Sequence, residues 1–313
     1  MAKKLIDDNK IHDFAQKVTT PFYIYSSDKI IENYNSYARC LTEIDSLICY
    51  SVKANSNLSI LKMLSNNNSG FDVVSKGEIE RVLLAGGDAE KIVFSGVGKT
   101  MDEIELGIAK NILCFNVESL DELKSISEVA SSLNKRANIS IRVNPSIDPK
   151  THPYITTGLS ENKFGIHENE IFDAYNMAKD LDNLSIVGID YHIGSQITDL
   201  KPFVDSATKV LEIVHALKEM KINLSHIDVG GGLGITYKDE KSIKRESFLD
   251  KLIEIISPTG LKLIVEPGRS IVGDAGLLVT KILNIKNSGG KKFAIVDAAM
   301  NDLLRPPLYN AHH

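Results

Sequence analysis

Tryptophan is absent from this chain, and cysteine occurs only at Cys40, Cys49 and Cys114. An odd number without Cys-x-x-Cys spacing argues against a disulfide framework or a thiolate metal site and fits a reducing compartment, so a cytoplasmic protein is expected. Excess basic charge is missing too. Lys and Arg number 36 against 41 Asp and Glu, giving a formal charge of -5, and the longest basic stretches are pairs such as Lys3-Lys4 and Lys291-Lys292. Nucleic acid is therefore not an expected partner. No apolar run approaches the ~20 residues of a membrane span, and the start Met1-Ala-Lys-Lys-Leu-Ile-Asp-Asp8 carries acids where a signal peptide needs its apolar stretch. No membrane association is expected, and the Asn-x-Ser triplets at Asn57, Asn138 and Asn223 read as chance. His12, His167, His215 and His226 lack acidic or thiol neighbours at ligand spacing, so no metal is assigned.

What is present is a repeating pattern. The 313 residues, 43% apolar and 25% charged, suffice for one large domain and a smaller unit. Apolar runs of strand length fall at 47–52, 71–74, 92–94, 112–116, 139–143, 186–192, 226–229 and 261–266. Stretches of helical period separate them, at 58–65, 76–85, 101–110, 120–133, 170–181, 203–220 and 247–256. Eight strands with intervening helices predict an α/β fold, a TIM-like (β/α)8 barrel; an open doubly wound sheet is the alternative. The barrel is preferred because polar residues recur after strands 1, 2, 5, 6, 7 and 8 of the series, whereas an open sheet gathers its site at one switch point. Strand-like segments at 21–25, 277–285 and 293–296 predict a second, β-rich domain. The expected division is residues 1–28 contributing to that domain, 29–270 as the barrel and 271–313 as the beginning of the β-domain's C-terminal part.

Four segments close apolar runs, where a barrel enzyme keeps its chemistry. Lys53, in Tyr50-Ser-Val-Lys-Ala-Asn55, would emerge at the barrel mouth, where burial lowers an amine's pKa and favours the neutral form that attacks a carbonyl. Standing alone, it would more often be a solvated lysine. Asp228-Val-Gly-Gly-Gly-Leu-Gly234 lets backbone N–H groups approach an anion, although a tight turn would explain some of the glycines. It is not a dinucleotide fingerprint, because glycine is missing at Ile235 and Tyr237, and Gly96-Val-Gly-Lys-Thr100 fails as a P-loop because the first glycine would fall at Val93. His192, in His192-Ile-Gly-Ser-Gln196, is either a core histidine or an imidazole placed to stack on a planar ring, and Ser195 could offer a hydroxyl to a phosphate. Glu266-Pro-Gly-Arg269 is either a surface ion pair or a deep carboxylate able to keep a pyridine nitrogen protonated. Arg142 is a charge inside an apolar strand and needs a partner; His152 is ambiguous between loop and site.

Taken in this order, the segments resemble the fold-type III pyridoxal-phosphate-dependent decarboxylases, from about residue 21 to residue 313. The resemblance implies pyridoxal 5'-phosphate as cofactor, attached to Lys53, with His192 against its ring and Glu266 at its nitrogen. It implies that Ser195, Gly231, Gly232, Gly268 and Arg269 hold the phosphate, with Asp72 and Arg142 completing the cofactor-binding set. Thr151-His-Pro-Tyr-Ile-Thr-Thr-Gly158 with Lys163-Phe-Gly165, and Met300-Asn-Asp-Leu-Leu-Arg-Pro-Pro-Leu-Tyr309, look like the branch acting on meso-2,6-diaminopimelate. The implied reaction removes CO2 from that amino acid to give L-lysine, with Arg269, Arg305 and Tyr309 contacting substrate. Arginine suits a distal carboxylate, which ornithine and arginine lack. The alternatives are a decarboxylase of the ornithine, arginine or carboxynorspermidine type, or a cofactor-binding but catalytically silent fragment. Members of the family continue with a Cys-Glu-Ser segment and a tyrosine that complete a partner's site across a homodimer. The chain is accordingly expected to be cut short at His313 and poorly active.

Overall fold

The computed structural model describes residues 5–147 and 163–313. Helix α1 (Asp8–Lys17) begins at Asp7, whose side chain accepts from the Asn9 amide, and it buries no side chain. After β1 (Phe22–Tyr25) and α2 (Ser27–Cys40), the chain enters a closed parallel barrel. Its strands are β2 (Ser46–Ser51), β3 (Gly70–Val73), β4 (Ile92–Phe94), β5 (Cys114–Val117), β6 (Ala137–Arg142), β7 (Leu184–Asp190), β8 (His226–Asp228) and β9 (Lys262–Val265). They pair in chain order, and β9 closes on β2 with Leu263 opposite Ser46 and Val265 opposite Ile48. All eight strands expected from the apolar runs are present, and the open-sheet alternative is excluded by closure.

The outer helices are α3 (Leu58–Asn66), α4 (Lys76–Leu84), α5 (Met101–Lys110), α6 (Leu120–Ser132), α7 (Ile171–Asp180), α8 (Lys201–Glu219) and α9 (Arg245–Ile256). Local chemistry sets their starts. Ser75 and Ser119 cap α4 and α6, and Thr100 with Glu103 forms a reciprocal capping box on α5. Each helix then turns one stripe inward, as α6 does with Leu123, Ile126, Val129 and Ala130. Burying a side chain of that size contributes roughly 1.5–3 kcal/mol.

The last unit departs from the repeat. Only the short α10 (Arg269–Val272) follows β9, and the place in the helix ring is filled by α2, which packs on α3, α9 and α10. Tyr37 Oη and Ser270 Oγ lie 2.7 Å apart, and Asn33 Nδ2 donates to the Ile271 carbonyl at 2.8 Å. The turn that carries the Glu266-Pro-Gly-Arg269 segment is thus held from behind by an N-terminal helix.

Beyond the barrel, β1 pairs antiparallel with β10 (Gly276–Val279), and β11 (Ile282–Ser288) forms a hairpin with β12 (Lys291–Val296) through Gly289-Gly290. Both glycines have positive φ, as this tight turn requires. The single strand expected over 277–285 is two strands instead. The break falls at Thr280-Lys281, where the Thr280 hydroxyl and the Lys281 amide both donate to Asp297 Oδ1, at 2.6 and 2.9 Å. Helix α11 (Arg305–Tyr309) follows, and the Tyr23 hydroxyl donates to the Asp302 carbonyl, tying this end to β1.

Candidate active site

At the C-terminal rim of the barrel lies a cavity of about 710 Å³, walled by the loops after β2, β7, β8 and β9 and, on its outer side, by α11. Lys53 enters it from a 3-10 turn (Val52–Ala54) that follows β2 directly. Its Nζ donates to Asp72 Oδ2 at 2.5 Å, while Ser51 Oγ donates to the same oxygen at 2.8 Å. Burial pulls the ammonium downward, but Asp72 and Glu266 outweigh it and the Lys53 pKa is raised. The sequence argument had the opposite sign, because it weighed desolvation without the buried carboxylates opposite. Asp72, although its burial works the other way, is held below the ordinary carboxylate range by Lys53 and the Ser51 hydroxyl.

Glu266 is buried at the end of β9, with its Oε1 unpaired, and does not form the surface ion pair with Arg269. Burial first, then Asp228, Asp72 and Asp190, push its carboxyl well above the usual range. Arg269 turns to the cavity: Nη2 donates to Ser195 Oγ at 3.0 Å, Nη1 to Tyr237 Oη at 2.7 Å, and its buried Nε has no partner. Ser195 Oγ, the Arg269 fork and Lys53 together present donors and positive charge to one space.

His192 Nδ1 accepts from the Gly231 amide at 3.1 Å, which leaves a neutral ring its proton on Nε2. Burial, then Arg142 and Lys53, depress its pKa to about 3, so the imidazole is uncharged at neutral pH. The glycine loop is packed as well as open. A Cβ on Gly231 would run into the Glu266 carbonyl, and one on Gly232, where φ is +107°, into that of Gly194. Gly268 sits against Ser51 and Ala54, where a Cβ would come within 3.0 Å of both side chains. The glycines therefore let four rim loops, those after β2, β7, β8 and β9, interlock, a reason the spacing of the motif does not disclose.

Arg142, at the end of β6, has the partner that its position demanded: Nη1 donates to Glu118 Oε1 at 2.8 Å, and Nε lies 3.8 Å from Asp190 Oδ2. Glu118 also accepts from the Gly96 and Gly165 amides, each at 2.9 Å, binding the loops after β4, β5 and β6 together. Lys99 of the rejected P-loop pattern is a buried cation paired with Glu122 at 2.6 Å. On the outer wall, the Arg305 guanidinium lies over the Tyr237 ring at 4.0 Å, and Tyr309 lines the same cavity. His152 and the stretch Thr151 to Gly158 lie outside the described residues. Sequence reasoning missed Glu118, Asp190 and Tyr237, and gave Asp228 no role; a charged residue just past an apolar run was the available signal for Glu118.

The donor set fits an anionic pyridine cofactor. The unpaired Arg269 Nε and the Ser195 hydroxyl suit a phosphate, and the unpaired Glu266 Oε1 suits a ring nitrogen. Fold and site define a barrel enzyme whose lysine works beside an anion-binding loop. Residues 27–273 match the family described as pyridoxal-dependent decarboxylase, pyridoxal binding domain. Diaminopimelate decarboxylase from Neisseria meningitidis serogroup A is 49% identical over 299 residues, spanning 96% of this chain and 74% of that protein. The enzyme of that name from Pseudomonas aeruginosa is 48% identical over 297 residues, spanning 95% and 72%. The crystal structure of diaminopimelate decarboxylase from Helicobacter pylori complexed with L-lysine superposes with a TM-score of 0.94 at 48% identity, over 97% of this chain and 77% of that one. The chain belongs to the pyridoxal-dependent decarboxylases, and within them to the diaminopimelate decarboxylase group.

Proposed function

We propose that this chain removes CO2 from meso-2,6-diaminopimelate to give L-lysine, using pyridoxal 5'-phosphate. The observation that carries the reading is one cavity lined by Lys53, the buried Glu266, the Arg269–Ser195 pair and Arg305, on a barrel whose relatives carry that name. When bound, the cofactor supplies an electron sink for the pair left behind as CO2 departs.

The chain's own residues then have distinct tasks. Lys53 is the attachment point, and Asp72 Oδ2 accepts a hydrogen bond from its Nζ and holds it in the cavity. Ser195, Arg269 and the backbone of Gly231, Gly232 and Gly268 would hold the phosphate, Glu266 would serve the ring nitrogen, and the neutral His192 would pack on the ring. Arg142 supplies positive charge beside this group, fixed by Glu118. Arg305, steadied on Tyr237, and Tyr309 would meet the substrate's distal end, and Arg269, on the same cavity, would serve substrate as well as phosphate. The reading includes a homodimer with shared sites, supported by the exposed apolar side chains Ile282, Leu283, Phe293 and Ile295 of the β11–β12 hairpin.

Turnover tests it. With pyridoxal phosphate present, the chain is expected to release lysine from meso-diaminopimelate and to leave ornithine and arginine unconverted. Conversion of ornithine in preference to diaminopimelate would overturn the substrate assignment.

A further inference from the structure

More negative charge than positive is buried at the mouth of the barrel. Asp72, Glu118, Asp190, Asp228 and Glu266 are all buried there, at the ends of five different strands, and among the described residues the cations set against them are Lys53 and Arg142. Lys53 is engaged by Asp72 at 2.5 Å, and Arg142 by Glu118 at 2.8 Å. That leaves Asp190, Asp228 and Glu266, with one oxygen from each lying within 4.8 Å of the others. Among the described residues, the cationic atom within 4.0 Å of them is the Nε of Arg142, 3.8 Å from Asp190, and the Lys53 charge acts on Glu266 from further away.

The remaining groups around them bring no charge at neutral pH. His192, from the loop after β7, is neutral. In the layer below, burial holds the Cys49 and Cys114 thiols well above their ordinary range and takes His226 down to about 4. The Tyr191 hydroxyl, between Asp190 and Asp228 in charge influence, is buried and unpaired. Three carboxylates this close, opposed by part of one guanidinium and the more distant Lys53 ammonium, would be strongly disfavoured by desolvation if all were charged.

The hydrogen bonds point the same way. Asp228 Oδ1 accepts from the Gly230 amide at 2.9 Å, but Asp228 Oδ2, Glu266 Oε1 and Asp190 Oδ1 are buried without a partner. Two carboxylates can satisfy each other only if a proton lies between them. We propose that Asp228 shares a proton with Glu266 inside this trio, so that Asp228 is the residue that positions Glu266 and keeps it partly neutral at the bottom of the cavity. Burial also raises Asp228 itself, to about 7, and raises Glu266 well above the carboxylate range. The purpose rests on the reading of Glu266 as the group facing the cofactor's ring nitrogen: the shared proton would pass from the Asp228–Glu266 pair to that nitrogen, the hydrogen bond between the two carboxyls would break, and both would remain as anions beside the new positive charge.

Infrared spectroscopy of the full chain, without and then with pyridoxal phosphate, tests this. At neutral pH without cofactor, the wild type is expected to show a protonated-carboxyl band that shifts in D2O, and both Asp228→Asn and Glu266→Gln to lose intensity in it. Asn at 228 can still accept from Gly230, so the loop survives; should that variant not fold, Glu266→Gln alone decides. Absence of the band, equal intensity in wild type and variants, or a stoichiometric divalent metal held by the purified chain would overturn the shared proton. Loading with cofactor is expected to reduce the band. A band indifferent to loading supports the shared proton and overturns the assignment of Glu266 to the ring nitrogen.

Discussion

At the scale of single residues, the site pairs the cations Lys53 and Arg142 with carboxylates from neighbouring strands. Lys53 owes its raised pKa to Asp72 and Glu266 winning over burial, so its amine stays protonated until a proton acceptor is engaged. Loading with pyridoxal phosphate, borohydride reduction and peptide mapping should leave the label on Lys53; a label on another lysine would remove it from the centre of the mechanism. Arg305 is held differently, by stacking on Tyr237 and by donating from Nε to the His312 carbonyl at 3.3 Å. Its remaining guanidinium donors suit a planar carboxylate. Replacing it by Ala deletes a charged hydrogen bond of ~1.5–3 kcal/mol, so kcat/KM for diaminopimelate should fall by roughly ten- to a hundredfold while the cofactor spectrum is kept. An unchanged kcat/KM would show that the distal carboxylate is read elsewhere.

At the scale of elements, the rim loops matter more than the strands beneath them. Gly232, at φ +107°, presses its Cα towards the Gly194 carbonyl, and Ile197 N donates to the Gly232 carbonyl at 2.9 Å. Gly232→Ala would meet both a disfavoured backbone region and a collision with backbone, for a cost of about 1–3 kcal/mol. The variant should lose several degrees in Tm and bind cofactor more weakly, with far-ultraviolet circular dichroism retained. Unaltered melting would mean that the loop shifts freely. The same logic explains α2. Because β9 leads to a turn and the short α10 instead of a long helix, an earlier element closes the ring and braces that turn.

For the whole molecule, buried ionisable groups pull stability in opposite directions with pH. His192 refuses its proton down to about 3 when folded and accepts one near 6.5 when unfolded, so stability is lost as pH falls through that interval. Asp228 behaves inversely. Unfolded, it ionises above 3.8; folded, it keeps its proton to about 7, so its contribution is lost as pH rises across that window. Asp228→Asn should therefore gain stability relative to wild type as pH rises from 3.8 to 7, by at most about 4 kcal/mol and less where Glu266 compensates. Urea denaturation at several pH values checks it; a gain that is flat with pH would show that Asp228 titrates normally in the fold. Sedimentation of the chain tests the proposed dimer, with Phe293→Asp and Ile295→Asp expected to shift it towards monomer.

The barrel was legible because its signal is local and repeated: a short apolar run, a turn and an amphipathic helix recur eight times in the sequence, with the last helix missing. The motif order, Lys53 to Arg269, named the family for the same reason, since each segment carries its chemistry within a few neighbours. What the sequence could not display is contact between strand ends far apart in the chain. Lys53 and Asp72 are 19 residues apart, Arg142 and Glu118 are 24 apart, and Ser51 Oγ donates to the Glu266 carbonyl 215 residues away. Pairing of β2 with β3 and of β5 with β6 brings the first two pairs together, and only closure of β9 onto β2 brings in the third, with the Glu266 charge that adds to the Lys53 shift. Composition and pattern thus determined which residues reach the rim. Tertiary structure decided which of them carry charge there, because protonation follows the sum of burial and opposing charges, and that sum exists only in the assembled barrel.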